Sequence, residues 1–205
     1  VFLVSKVYPH NAGYKAAQAA CERSLKRLGV DCLDLYLLHW RGDVPFTETI
    51  EAFVALQAQG KIRHWGVSNF DLDDLQAWCD LPGGDAVATN QVLYNLTRRG
   101  VEWDVLPWCQ TRRIPLMAYS PIEQSRLLDH RAFCALARQH GFTPAQLAIA
   151  WLLHQDRVIA IPKASTRQHL TDNFSALNCT LDATVLAALD RLFPPPEHAT
   201  ALEML

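Results

Sequence analysis

The sequence predicts an α/β protein in which parallel strands are covered by helices, and three observations support this fold class. Short runs rich in β-branched and aromatic residues alternate with longer helical patterns along the chain. These runs are largely apolar, which is typical of strands that helices bury on both faces. A polar residue stands at the end of most runs, at similar intervals. Periodicity alone leaves two architectures open, a doubly wound open sheet and a closed (β/α)8 barrel.

Six apolar runs are predicted strands. Each is bounded by helical patterns or by turn residues, and each has the length expected of a buried strand. In chain order, the runs are FLVSKV, LDLYLL, RHWGV, AVATNQV, IPLMAY and RVIAI.

Glycine and a capping motif mark the predicted helices. Three helical patterns end at Gly29, Gly60 and Gly141, because glycine readily adopts the left-handed conformation that follows a helix. Thr143, followed by proline and by Gln146 three positions on, predicts a capping box at the start of the helix PAQLAIAWLL.

No linker or low-complexity segment divides the chain, so the sequence predicts a single domain over residues 1–205. Three successive prolines open a C-terminal tail at residues 194–205.

The spacing of the polar residues favours the barrel. A (β/α)8 barrel of about 250 residues has roughly 31 residues in each strand unit and places its functional groups where the strands end. In this chain, polar residues near the ends of five runs recur every 23 to 33 residues: Lys6, His39, Ser68, Gln91 and Tyr119. We therefore expect these side chains on one rim, with His39 next to Lys6.

Composition excludes several classes of function. The chain is 50% hydrophobic and 20% charged, as globular proteins are, and its net charge of -2 with scattered basic residues argues against binding to nucleic acid or to a membrane. No apolar run approaches the ~18 residues of a membrane span, and the first residues lack a signal peptide. Six cysteines without C-x-x-C or zinc-site spacing predict free thiols, a cytoplasmic protein and no metal site.

Six motifs in order resemble the aldo-keto reductase superfamily over nearly the whole chain: SKV, DLYLLHW, GVSNF, NQVLYN, AYSP and IPKAST. The ending TALEML is also similar to the tail of bacterial members that reduce small aldehydes such as methylglyoxal. The resemblance implies a (β/α)8 TIM barrel that reduces aldehydes or ketones with NADPH, using a catalytic Asp, Tyr, Lys and His. Lys6 matches that lysine and His39 matches that histidine.

These residue types suit the reaction. A carbonyl oxygen that gains negative charge during hydride transfer must be protonated and stabilised. A lysine beside a tyrosine lowers the tyrosine's pKa, and a carboxylate keeps the lysine charged. A neutral His39 can donate a hydrogen bond to the carbonyl oxygen and orient it.

The chain departs from the family in one respect. In the family, the catalytic aspartate and tyrosine come from the second strand unit, before the SKV motif, and no residues of this chain match them. We therefore expect this chain to be the C-terminal six-eighths of a barrel, with about the first two strand units missing, and to be inactive by itself. Tyr8 does not replace the missing acid. It matches an aromatic residue of the substrate wall, as does Trp40.

The resemblance also implies a cofactor site for NADP rather than NAD. His169 stands where many relatives have an arginine, and IEQS follows Pro121 where many have a glycine-containing turn. The implied hydrogen bonds to the nicotinamide carboxamide come from Ser68, Asn69 and Gln91. Tyr119 is implied to stack on the nicotinamide ring, and Ser120 and Pro121 to begin the loop over the pyrophosphate. The implied contacts with the 2′-phosphate and adenine come from Lys163, Ser165, Thr166, His169 and Asn173.

Simpler interpretations of the same residues stay open. Ser68 and Asn69 could cap the helix DLDDLQAW, Tyr119 could be a core aromatic, and Lys163 could be a solvated charge. The alternative function is a non-catalytic barrel subunit that binds a nicotinamide nucleotide, or an inactive fragment. For the complete protein, we expect a monomer that acts on a small carbonyl compound.

Overall fold

The computed structural model describes residues 1–205, whose internal contacts group into two units, Val1–Gln91 and Val92–Leu205. The fourth strand crosses the boundary between them. None of the helices combines the length and apolar character that a membrane span requires.

The first unit alternates strands with helices, and its neighbouring strands pair in parallel in chain order. Short 3-10 turns at Pro9–Asn11 and Gly84–Ala86 complete the connections. Its elements are β1 (Val4–Val7), α1 (Tyr14–Leu28), β2 (Leu33–Leu38), α2 (Phe46–Ala58), β3 (Ile62–Ser68), α3 (Leu72–Cys79) and the beginning of β4 (Asn90–Leu93).

The second unit contains two further strands that also pair in parallel. Three 3-10 segments, Gly100–Glu102, Glu123–Asp129 and Ala176–Asn178, lie between its regular elements. These elements are α4 (Val105–Thr111), β5 (Leu116–Tyr119), α5 (Arg131–Gln139), α6 (Pro144–His154), β6 (Val158–Ala160), α7 (Arg167–Ser175) and α8 (Ala183–Leu192).

All six predicted strands are confirmed, although the fourth is shorter than its apolar run. The run AVATNQV begins at the end of the turn Gly84–Ala86 and becomes extended strand only from Asn90. Gly66 on β3 permits a close approach to the residue before β4. A Cβ atom at Gly66 would lie 2.5 Å from the carbonyl oxygen of Thr89.

A cluster of aromatic side chains fills the core of the first unit. Tyr36, Phe53, Trp65, Phe70 and Trp78 are each at most 1% exposed. The rings of Tyr36 and Phe53 meet edge to face with centroids 5.6 Å apart, and Trp78 packs within 6.0 Å of both Trp65 and Phe70. Burial of such large rings is the main favourable contribution that fixes the helices on the strands.

The predicted helix ends are confirmed. Gly29, Gly60 and Gly141 have φ angles of 66°, 71° and 75°, in the left-handed region that glycine adopts at little cost. At the start of α6, the Thr143 hydroxyl accepts from the backbone N–H of Gln146, whose side chain accepts from the backbone N–H of Thr143. Both halves of the capping box are therefore present.

Removing this cap should destabilise the protein measurably. We expect Thr143→Ala to lower the free energy of unfolding by about 1 kcal/mol, because the N–H of Gln146 loses its acceptor. Thr143→Ser, which keeps the hydroxyl, is the matched control and should stay close to the parent. Urea unfolding followed by circular dichroism measures both, and equal stability of the Ala and Ser variants would contradict the capping assignment.

Candidate functional site

Lys6 and His39 lie on neighbouring strands of the first unit. The register pairs Lys6 of β1 with Leu37 of β2. His39 follows β2 directly, and its backbone N–H donates to the carbonyl of Val7 at 2.9 Å. The sequence analysis expects His39 next to Lys6, and the parallel pairing of β1 and β2 brings the two residues to neighbouring strands.

The electrostatics of this pair keep His39 neutral. Burial lowers the pKa of His39, and the positive charge of Lys6 lowers it further. Burial also lowers the pKa of Lys6, and no acidic neighbour counteracts it. The imidazole is thus available as a neutral hydrogen-bond donor at pH 7, as orientation of a carbonyl requires.

Two aromatic residues flank His39. The Tyr8 ring stacks on the His39 ring with centroids 5.3 Å apart and meets Trp40 at the same distance in an edge-on geometry. The rings of His39 and Trp40 are 4.6 Å apart. Tyr8 is 50% exposed, so it presents a partly open aromatic surface beside the imidazole. The role of Tyr8 and Trp40 as a substrate wall stays a prediction.

Ser68 and Asn69 form a polar turn at the end of β3. The Ser68 hydroxyl and the Asn69 backbone N–H both donate to the carbonyl of Gln91, at 2.8 Å each. Asn69 has a φ angle of 56°, and its side-chain amide donates to the carbonyl of His39 at 3.1 Å. These bonds tie the ends of β2 and β3 to β4.

One sequence-based interpretation of this turn was wrong. Asp71, not Ser68 or Asn69, caps α3, and its carboxylate accepts from the backbone N–H of Asp74. Gln91 is the second of the four residues of β4. Helix capping therefore does not explain why Ser68 and Asn69 are polar.

The second unit contains a cavity of about 770 Å³. Its walls come from the loop after β5, the start of α6, the segment after β6, and α7. Six of the predicted cofactor residues line it: Ser120, Pro121, Lys163, Ser165, His169 and Asn173.

The other two predicted residues of this unit have defined positions as well. Thr166 caps α7, where its hydroxyl accepts from the backbone N–H of His169 at 3.1 Å. Tyr119 ends β5 and is partly buried. Burial raises its pKa, and a hydrogen bond from the backbone of Leu205 opposes that effect. No group of three or more His, Cys, Asp or Glu side chains is arranged to hold a metal ion.

The loop after β5 has an unusual backbone. Ser120, Glu123, Gln124 and Ser125 all have positive φ angles, between 46° and 75°. Non-glycine residues adopt this conformation at a cost, so surrounding contacts must hold the loop in place. The sequence has IEQS here in place of a glycine-containing turn, but it does not indicate which residues contact the loop and hold it in this conformation.

Glu123 supplies those contacts and was missed in the sequence. It is 4% exposed and accepts from the side-chain amide of Asn95 at 2.8 Å and from the guanidinium of Arg98 at 3.0 Å. Burial by itself would raise the pKa of Glu123, but the bonds from Arg98 and Asn95 outweigh it and the pKa is lowered. Sequence reasoning also missed Asp172 and Thr143, which line the cavity.

The neutral state of His39 can be tested by titration. Histidine-detected NMR should give His39 a pKa below the usual value of about 6.5. Because the folded pKa is the lower one, protonation favours unfolding. The stability contribution of His39 is therefore present above the unfolded pKa and is lost as the pH falls through the lower folded pKa. Lys6→Gln should raise the pKa of His39, whereas Lys15→Gln, at an exposed lysine of α1, should not. An unchanged pKa in Lys6→Gln would disprove the coupling.

The sequence and the structure both match known proteins. The aldo/keto reductase family model matches residues 1–193. Methylglyoxal reductase YeaE of Escherichia coli K12 is 50% identical to this chain over 210 residues, and the match covers all of this chain and 74% of the relative. Glyoxal reductase of Bacillus subtilis is 34% identical, and the match covers 94% of this chain and 68% of the relative. A crystal structure of an aldo/keto reductase from Klebsiella pneumoniae in complex with NADP and acetate superposes with a TM-score of 0.98 at 50% identity. The superposition includes all of this chain and 74% of the Klebsiella protein. The chain therefore belongs to the aldo/keto reductase family, which is a family of oxidoreductases.

Proposed function

We propose that this chain forms most of an NADPH-dependent reductase that converts aldehydes or ketones to alcohols by hydride transfer. The observation that carries this proposal is the cavity of about 770 Å³ in the second unit, because six residues matched to a cofactor site line it together. Support comes from relatives that are a methylglyoxal reductase and an NADP-bound aldo/keto reductase.

The proposed architecture is a (β/α)8 barrel of which this chain supplies six strand units. Residues 1–205 belong to one barrel domain, with residues 194–205 as its tail. A barrel of this type needs eight strands, so the catalytic aspartate and tyrosine of the family would come from a further strand unit. We propose a cytoplasmic monomer.

The cavity suits the adenosine end of NADP. Lys163 offers a cation, and Ser165 with the first turn of α7, capped by Thr166, offers donors of the kind that bind phosphate. His169 and Asn173 of α7 also line the cavity, where they would contact the 2′-phosphate and the adenine. Lys163 is the feature that favours NADP over NAD.

The loop beginning at Ser120 and Pro121 would pass over the pyrophosphate. Tyr119 would stack on the nicotinamide ring, as aromatic rings commonly do with planar ligands. Ser68, Asn69 and Gln91 would bind the carboxamide, and they already form one hydrogen-bonded turn. Bound NADPH supplies the hydride.

The residues of the first unit would act on the carbonyl. Neutral His39 donates a hydrogen bond to the carbonyl oxygen and orients it, while Tyr8 and Trp40 form the apolar wall around the substrate. The charge of Lys6 would lower the pKa of a tyrosine that acts as the general acid. In the family this tyrosine belongs to the second strand unit, so catalysis requires that unit.

A second candidate is a barrel subunit that binds a nicotinamide nucleotide without catalysis, or an inactive fragment. The two candidates share the cofactor site and differ in what His39 does.

The first prediction from this proposal concerns Lys163. Lys163→Ala should raise the dissociation constant of NADPH about tenfold or more and change that of NADH little. The reason is that only NADPH has the 2′-phosphate with which a lysine makes a charge-assisted contact. Titration of tryptophan fluorescence measures both constants. Lys26→Ala, at an exposed lysine of α1, is the control. Equal weakening of NADPH and NADH binding would show that Lys163 does not contact the 2′-phosphate.

The second prediction separates the two candidates. In the enzyme with all eight strand units, His39→Ala should lower kcat/KM for methylglyoxal by about 10²-fold or more and leave the NADPH dissociation constant within a few-fold, because His39 contacts the carbonyl and not the nucleotide. His10→Ala also removes an imidazole that stacks on Tyr8, and it should keep most of the activity. An enzyme that reduces no carbonyl before any substitution would support the binding subunit instead.

A further inference from the structure

Arg98 lies between two segments of the second unit that are far apart in the sequence. Its Nε and Nη2 atoms donate to Glu123 Oε1 at 3.1 and 3.0 Å, and its Nη1 atom donates to Glu203. Glu123 belongs to the loop of residues 120–129, here called the β5 loop, and Glu203 belongs to the C-terminal tail. One guanidinium therefore holds both segments.

The tail passes close to the turn around Arg98. Arg99 donates to the carbonyl of Phe193, just before the tail, at 2.6 Å. A Cβ atom on Gly100 would lie 2.7 Å from Thr200 Oγ1, which shows how closely the middle of the tail passes. The bond from Arg98 to Glu203 fixes the end of the tail. The tail thus follows this turn along its length.

The β5 loop depends on the same guanidinium in a different way. Four of its residues have positive φ angles, and its buried carboxylate, Glu123, is held by Arg98 and Asn95. Ser120, Gln124 and Ser125 of this loop also line the cavity. A change at Arg98 is therefore transmitted to the cavity wall through Glu123.

We propose that Arg98 is a positioning residue that couples the β5 loop to the C-terminal tail, so that nucleotide binding at the cavity orders the tail. The coupling rests on the proposed function, because it assigns the cavity to NADPH. A ligand that holds the β5 loop in its present conformation keeps Glu123 in place, and Glu123 in turn keeps the guanidinium oriented towards Glu203. Reciprocally, a docked tail favours the loop conformation that binds the nucleotide.

An arginine is required for this role. The planar guanidinium presents several N–H donors in fixed directions, so it can bind two carboxylates at once. A lysine at this position would keep the charge but would lose the fixed fork. The tail also reaches Tyr119 at the end of β5, through the backbone of Leu205. Coupling at Arg98 would therefore affect the surroundings of that ring.

Hydrogen exchange measured by mass spectrometry tests the coupling in the complete enzyme. In the parent, saturating NADPH should slow amide exchange in residues 194–205. In Arg98→Gln, exchange in the tail should be about three- to tenfold faster, NADPH should no longer slow it, and NADPH binding should weaken by a similar factor. Arg98→Lys should also lose the effect of NADPH on the tail.

Two further variants keep the result interpretable. Glu203→Gln leaves Arg98 and Glu123 in place, so it should release the tail with at most a few-fold change in the NADPH dissociation constant, even if Arg98→Gln lowers the stability. Arg138→Gln removes an exposed arginine of α5 that lies outside the β5 loop and the tail, and it should behave as the parent.

The outcomes separate the inference from the proposed function. If NADPH binds the parent and still slows tail exchange in Arg98→Gln, the coupling is disproved and the cofactor site stands. If the parent does not bind NADPH, the proposed function fails, and the coupling fails with it. Loss of the NADPH effect in Arg98→Gln and its retention in Arg138→Gln would establish Arg98 as the shared anchor.

Discussion

Parallel pairing of neighbouring strands is the constraint on which the first unit depends. It aligns the ends of β1, β2 and β3, so residues that are about 30 positions apart in sequence meet at one edge. Lys6 is paired with Leu37, and His39 is bonded through its backbone to Val7. The polar side chains that follow the strands therefore gather at this edge. Their chemistry is a consequence of the register, since a slip of one residue would turn each side chain to the opposite face.

Features encoded by neighbouring residues could be predicted from the sequence. The capping box of α6 involves only Thr143, Pro144 and Gln146, and its geometry follows from those residue types. Gly29 and the other helix-ending glycines act within one turn of the helix that they end. The six strands were likewise visible as apolar runs, because most residues of β2 to β5 are buried. Such local signals predict the elements and, through their order, the strand ends.

The loop after β5 could not be predicted, because its conformation depends on distant partners. Glu123 is held by Asn95 and Arg98, which lie 28 and 25 residues before it, and Glu203 lies 105 residues after Arg98. No local pattern specifies such pairs. The bounds of β4 were not predictable for a related reason, since an apolar run shows where a strand can form but not where it begins and ends. The sequence identified the segments of the candidate site, whereas the contacts that hold them required the fold.

The environment of Lys6 explains why a carboxylate belongs in this type of site. The lysine must carry its charge in order to lower the pKa of a neighbouring tyrosine, but burial lowers the pKa of Lys6 and so favours its neutral form. Its charge also keeps His39 neutral, because that charge lowers the pKa of the imidazole. Both effects disappear when Lys6 loses its proton. An acidic group beside Lys6 would oppose burial and keep the ammonium charged near neutral pH. The aspartate that the family resemblance implies therefore has a physical task that the electrostatics of these two residues already define.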